Sequence, residues 1–265
     1  MKRSVLIPIA LATLAAAAML GGCATPPAPE TQVRTASDMT DLDRRAKLHM
    51  ELAAGYFGRG QTNVALDEVK KALAVRPELP EAYSLRALIY ASMGQPQLAE
   101  ESFRQALKLN PRDADSMHNF GWFLCQERRY ADAEAQFDGA MAQPQYRDAA
   151  RSMLAKGLCQ AREGRYDVAE ATLMRAYEMA PTNPATAFNL AEVLYRQGQY
   201  ERARFYLRRV NSQPASANAQ TLWLAARVER KLGNVSGARD LGNQLRARFP
   251  QSAEALRFES DQFDD

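Results

Sequence analysis

Two histidines, three cysteines and one glycine-rich turn are the places in this 265-residue sequence where catalysis or metal binding could begin. His49 and His118 lie far apart, without an HExxH pair and without carboxylate or thiol partners at ligand spacing. His49 takes a packing position between helices, and His118 falls on a face where a contact role is open. The stretch Gly55-Tyr56-Phe57-Gly58-Arg59-Gly60 has the glycine density of a phosphate cradle. No Lys-Ser/Thr follows it, however, and it closes a helical segment where a phosphate loop opens one after a strand. No serine sits in a GxSxG setting, and neither Cys125 nor Cys159 has a plausible base beside it. The residues thus predict a chain that is not an enzyme, with no metal, no cofactor and no small-molecule substrate.

Composition narrows the class further. The chain is 46% hydrophobic and 25% charged, enough apolar side chain for a sizeable core. A formal charge of +3 gives no nucleic-acid signal. The run from Arg202 to Arg209 (RARFYLRR) interleaves arginine with aromatics, but at helical spacing its apolar members fall on a core side and its arginines on a solvated face.

The elements that must carry these residues repeat. Pro80–Asp113 reads as two amphipathic helices with a tight turn at Met93-Gly94-Gln95, closed by Pro111. Thirty-four residues earlier, Tyr56, Gly60, Ala65, Ala72 and Pro77 match Tyr90, Gly94, Ala99, Ala106 and Pro111. The alanine opening each second helix recurs as Ala65, Ala99, Ala133, Ala169, Ala203 and Ala238, at spacings of 34, 34, 36, 34 and 35. Small residues face it on the first helices: Ala53, Ala87, Gly121, Gly157, Ala191 and Ala226. This pattern resembles the tetratricopeptide repeat family. A helix pair of that kind cannot bury its apolar face alone, so copies stack. The resemblance implies an all-α fold, a right-handed superhelical solenoid of six helix pairs. A short capping helix over Ala253–Phe263 is expected to cover the last pair, its acidic tail staying in water. Pro144 and Pro214 come one position early, so irregular joints are expected after the third and fifth pairs. Gly242 stands where a large apolar residue is usual.

Lys2 and Arg3 precede an apolar run from Val5 to Leu20 that ends in Leu20-Gly21-Gly22-Cys23. The run is short for a membrane span and has the form of an export signal. Its end resembles the lipobox of bacterial lipoproteins, which implies lipidation of Cys23 with several acyl chains as a firm anchor. The other reading is a leader cut near Ala24 with Cys23 as a bystander. Ala24 after the cysteine, by the same resemblance, implies the outer membrane, with the chain facing the periplasm. The expected organisation is residues 1–22 as signal, 23–40 as lipidated cysteine and flexible linker, and 41–265 as solenoid.

An exported chain meets an oxidising compartment, where Cys125 and Cys159 suggest a bridge. They are the twelfth and tenth residues of neighbouring repeats, which sets them about 200° apart around equivalent helices and facing across the seam. Helix axes ~9–10 Å apart leave ~5 Å between their Cα atoms, within bridging range. Two buried free thiols are the alternative.

In tetratricopeptide folds the first helices line an inner face. The matching positions here are Met50, Phe57, Leu88, His118 and Trp122, then Leu154, Leu158, Phe188, Tyr195 and Trp223. So many apolar and aromatic groups on a face that meets water mark a binding groove. Arg162, Arg196, Arg227, Arg230 and Lys231 make its far end cationic. Packing of some of these residues between repeats, or occupation of the groove by the linker, are the alternatives.

His118-Asn-Phe-Gly-Trp-Phe-Leu-Cys125, with Tyr130, Gly157–Cys159, the lipobox and six repeats, resembles the outer-membrane lipoproteins of type IV pilus biogenesis and stability. That resemblance implies a pilotin, which binds the pilus secretin subunit and assists its outer-membrane localisation and multimerisation. It also implies a bridge between repeats three and four. A periplasm-facing scaffold for cell-wall synthesis or outer-membrane barrel assembly is the alternative function.

Overall fold

The computed structural model describes residues 40–263; the signal segment, Cys23 and nearly all of the linker lie outside them. Thirteen helices follow one another, with no strand among the described residues. The first six are α1 (Asp41–Gly58), α2 (Thr62–Val75), α3 (Pro80–Ser92), α4 (Pro96–Leu109), α5 (Ala114–Gln126) and α6 (Tyr130–Met141). The rest are α7 (Ala149–Arg162), α8 (Tyr166–Met179), α9 (Pro184–Arg196), α10 (Tyr200–Asn211), α11 (Ala219–Lys231), α12 (Val235–Arg248) and α13 (Ala253–Glu259). Consecutive helices pair, and each pair leans on the next.

Local chemistry sets the boundaries. Pro80, Pro96 and Pro184 open their helices, where a missing N–H costs nothing. Asp113 accepts the Ser116 N–H at 3.2 Å, and Asn218 and Thr221 form a reciprocal capping box at the start of α11. Within pairs the turn residue sits at positive φ: Gly60, Gly94, Gly164, Gly198 and Gly233, with Arg128 at φ 61° taking the same place in the third pair. Arg128 is the one turn where the sequence does not supply the residue the backbone prefers, and the repeat alignment alone shows it.

The core is a ladder built on each second helix. The six marker alanines are at most 5% exposed. One turn on, Val69, Phe103, Phe137, Leu173 and Leu207 are at most 1% exposed. A further turn brings Ala72, Ala106, Ala140, Ala176, Val210 and Leu245, all buried. This i, i+4, i+7 stripe is the face each second helix turns toward its partner. The partner must be small there. A Cβ on Gly121 would lie 2.9 Å from the Phe137 ring, and one on Gly157 would lie 2.7 Å from Leu173. At Gly242 the ladder lacks its large residue, and the reason is the neighbour beyond: Phe258 of α13 fills the space, 1.9 Å from where a Cβ would stand.

The joints differ in length as the early prolines require. Four residues (76–79, 110–113, 180–183) separate most pairs, whereas seven (142–148, 212–218) follow the third and fifth. The longer joints use side chains to close. Asn211 Nδ2 donates to the Thr221 carbonyl at 3.1 Å across the second, and Tyr146 reaches Ser152 across the first. Cys125 of α5 and Cys159 of α7 are disulfide-bonded, with Cα atoms 5.8 Å apart and both residues at most 1% exposed.

Two details depart from the sequence reading. Helix α13 ends at Glu259, and the chain then reverses through Asp261 at φ 54°, bringing Phe263 back to a 6%-exposed position. The cap thus covers the last pair as expected but is helical only to Glu259, and the acidic tail beyond Phe263 lies outside the described residues. On α10, Ala203, Tyr206, Leu207 and Val210 face the core as expected, but Phe205 is 61% exposed, because it falls between the two arginine rows.

Replacing Arg128 with Gly should raise stability by roughly 0.5–1 kcal/mol, since glycine adopts this turn without a Cβ penalty; the urea midpoint reads it. Changing Cys125 and Cys159 together to Ser should lower stability by about 3–4 kcal/mol through the loop entropy restored to the unfolded chain. Wild type under reductant should lose a similar amount.

Candidate functional site: the face of the first helices

The odd-numbered helices α1 to α11 carry all ten residues assigned to the groove. Met50, Phe57, Leu88, Trp122, Leu154, Leu158 and Phe188 are half-buried, and all but Leu158 rest against the core clusters. Of these, Leu158 borders a cleft of about 410 Å³ between α7 and α9 that is also lined by Arg162, Tyr166, Asn189, Glu192, Val193 and Arg196. Leu158 and Val193 give it an apolar part, and an arginine on each flanking helix outweighs the Glu192 carboxylate, which suits a peptide that offers both apolar and acidic side chains.

Three of the ten are not open. His118 is 6% exposed, its Nδ1 hydrogen-bonded to Ser152 Oγ at 2.8 Å, with the Tyr146 hydroxyl 2.8 Å from the same oxygen. The longer joint after α6 is what lets Tyr146 and Ser152 close over the ring. His118 is thus a link between α5 and α7, and Ser152, fully buried, is no accessible nucleophile. Burial, and then the Arg151 charge, lower the His118 pKa from 6.5 to about 4. Tyr195 is 8% exposed, held by Tyr200 at 5.5 Å and covered by the Arg227 guanidinium 4.6 Å above its ring. Trp223 is 6% exposed because Phe263 lies 5.0 Å from it. Helical spacing placed these three on the first helices as open groove residues; it could not reveal what arrives from another element to cover them.

The arginines also have settings that spacing alone did not disclose. Arg162 lies over Trp122 at 4.8 Å, so the aromatic and the cation form one surface across α5 and α7. Arg230 pairs with Asp261, its Nη1 donating to Oδ1 at 2.7 Å, and lies 4.2 Å over the Phe263 ring. The Arg202–Arg209 run is on the outer face, where Arg202 pairs with Glu170 and Arg208 reaches Glu229 at 3.3 Å. His49 packs between α1 and α2 as a polar bridge, its Nδ1 2.7 Å from Glu68 Oε2. Hydrogen bonds from Lys71 first and His49 second hold the Glu68 carboxyl below its ordinary value. Among the described residues no three His, Cys, Asp or Glu side chains gather as a metal site, and no helix is long and apolar enough to cross a membrane.

Helix pairs of 34-residue period with a small-on-large crossing and an apolar first-helix face define a tetratricopeptide-repeat solenoid. Models described as "Tetratricopeptide repeat" match residues 80–113, 102–135, 121–184 and 160–222. The crystal structure of PilW, a widely conserved type IV pilus biogenesis factor, is 33% identical and has a TM-score of 0.74, with 80% of this chain and 97% of that one covered. The solved Pseudomonas aeruginosa PilF is 26% identical with a TM-score of 0.71, covering 84% of this chain and 100% of that one. The curated type IV pilus assembly protein PilF of Pseudomonas aeruginosa is 27% identical over 219 residues, 83% of this chain and 86% of that one. The chain belongs to the PilF and PilW family of tetratricopeptide-repeat proteins.

His118 supplies a pH dependence. Its folded pKa is depressed, so the unfolded chain takes up a proton as pH falls past 6.5 while the folded chain resists until about 4. Stability should therefore be full above pH 6.5 and fall by about 2 kcal/mol between pH 7 and 5. Urea midpoints across that interval should show the slope, and His118→Asn should flatten it.

Proposed function

We propose that this chain is a lipid-anchored pilotin of the outer membrane: a non-catalytic scaffold that binds a segment of the type IV pilus secretin subunit and assists its localisation and multimerisation. The observation that carries this reading is likeness along nearly the full length of PilW and PilF, both named for type IV pilus biogenesis or assembly, joined to an apolar first-helix face flanked by arginines. Secretin subunits expose apolar, β-rich surface before insertion and aggregate unless it is covered. A groove half-lined by Leu88, Trp122, Leu158 and Phe188 covers such a segment. An acylated Cys23 keeps the complex at the target membrane, where tethering raises the local concentration of each partner. Binding of this kind needs no bond-making, in keeping with a face that offers rings, aliphatic chains and guanidinium groups and has its two histidines tied up in structural hydrogen bonds.

Leu158→Glu combined with Arg162→Glu puts negative charge into the cleft without touching the ladder. Secretin multimers recovered from outer-membrane fractions should fall by about tenfold or more, whereas Phe205→Ala on α10 should leave them unchanged. Normal multimers with a folded Leu158→Glu/Arg162→Glu chain would refute the groove as the secretin contact.

A further inference from the structure

After α13 the chain makes a contact that the repeat architecture does not require. Trp223, Arg227 and Arg230 stand at i, i+4 and i+7 on α11, one stripe of the first-helix face. Residues 261–263 leave the helix at the positive-φ Asp261 and lie along that stripe in non-helical form. The Phe263 ring sits between Trp223, at 5.0 Å, and the Arg230 guanidinium, at 4.2 Å. The Arg227 Nε–H donates to the Phe263 carbonyl at 3.2 Å, and both Arg230 Nη groups donate to the Asp261 carboxylate, at 2.7 and 3.3 Å. One ring inserted, one main-chain carbonyl bonded and one carboxylate forked by arginine is how a groove reads a short peptide.

We propose that the first-helix face of α9 and α11 is a recognition site for an acidic segment carrying an aromatic residue two positions after a carboxylate, and that Asp261–Phe263 occupies it as an internal ligand which a partner segment displaces. This rests on reading the first-helix face as the partner surface, and it specifies the partner's chemistry. Three observations favour it over a purely structural cap. The large residue missing from the last ladder is supplied by Phe258 over Gly242, so that gap is filled without the three tail residues, and Phe263 is an added layer over Trp223 and the edge of Phe258. The ion pair that holds the tail is exposed, Asp261 by 70% and Arg230 by 48%, so it is weak and exchangeable. The site is also continuous with the rest of the groove, since Arg227 spans from the tail's carbonyl to the Tyr195 ring of α9, beside the arginine-flanked cleft between α7 and α9.

The test uses the purified full chain and a labelled synthetic peptide, Glu259–Asp265 (ESDQFDD), with binding read by fluorescence anisotropy. Asp261→Asn with Phe263→Ala in the chain empties the site, and the peptide should then bind about tenfold or more tighter than to wild type. Adding Arg230→Glu, or replacing the peptide's Phe with Ala, should abolish that gain, and added salt should weaken it. Equal binding to wild type and emptied chain, or binding that survives Arg230→Glu, overturns the proposal. As a check that needs no variant, amide exchange of Gln262 and Phe263 in the wild-type chain should accelerate with millimolar peptide; unchanged exchange also overturns it. Secretin is absent from both assays, so their failure leaves the pilotin reading to its own multimer test.

Discussion

The close crossing of two helices within each repeat is the constraint from which the rest of this molecule follows. A backbone can approach another closely only where one side offers Ala or Gly, and the space beside that contact must be filled by one large residue. Gly121 against Phe137 and Gly157 against Leu173 are the tightest cases, with no room for even a methyl group. Because the same bargain recurs down the chain, each pair has the same shape and stacks on the next in the same way. The last pair shows the rule from the other side. Its large residue is missing, and the fold recovers it from α13 by laying Phe258 over Gly242.

Once the second helices turn their large residues inward, the first helices are left with a face that is only half needed for packing. Leu88, Trp122 and Phe188 are the residue of that asymmetry: each touches the core and still presents surface. The stack is most strongly fastened in its middle, where the disulfide, the His118–Ser152–Tyr146 chain and the Arg162–Trp122 contact all join α5 to α7 or its leading joint. Under the proposed function, a partner segment lying along this face would meet a floor already cross-linked between repeats, which reduces the ordering cost of binding. At the C-terminal end the first-helix face is covered by the chain itself, where Phe263 lies on Trp223.

The fold was legible because its information is local and repeated. Six alanines at near-constant spacing, glycines at the turns and prolines at the joints each state a backbone requirement that no distant residue can change, and even the irregular joints were marked by prolines one position early. The same regularity placed a twelfth and a tenth residue face to face, which allowed a bridge or two buried free thiols; the tertiary structure has the bridge.

What the sequence determined by itself, then, was the helix pairs, their order and the side each helix turns to its partner, because periodicity and small-residue spacing act within one or two turns. Only the tertiary structure decided which of the outward residues stay open. His118 is closed off by Tyr146 and Ser152 from a joint and the next repeat, Tyr195 by Arg227 from the following one, and Trp223 by a tail that returns from beyond the last helix. In each case the covering group belongs to another element, and its path is set by a loop length or a single positive-φ residue that carries no periodic signal.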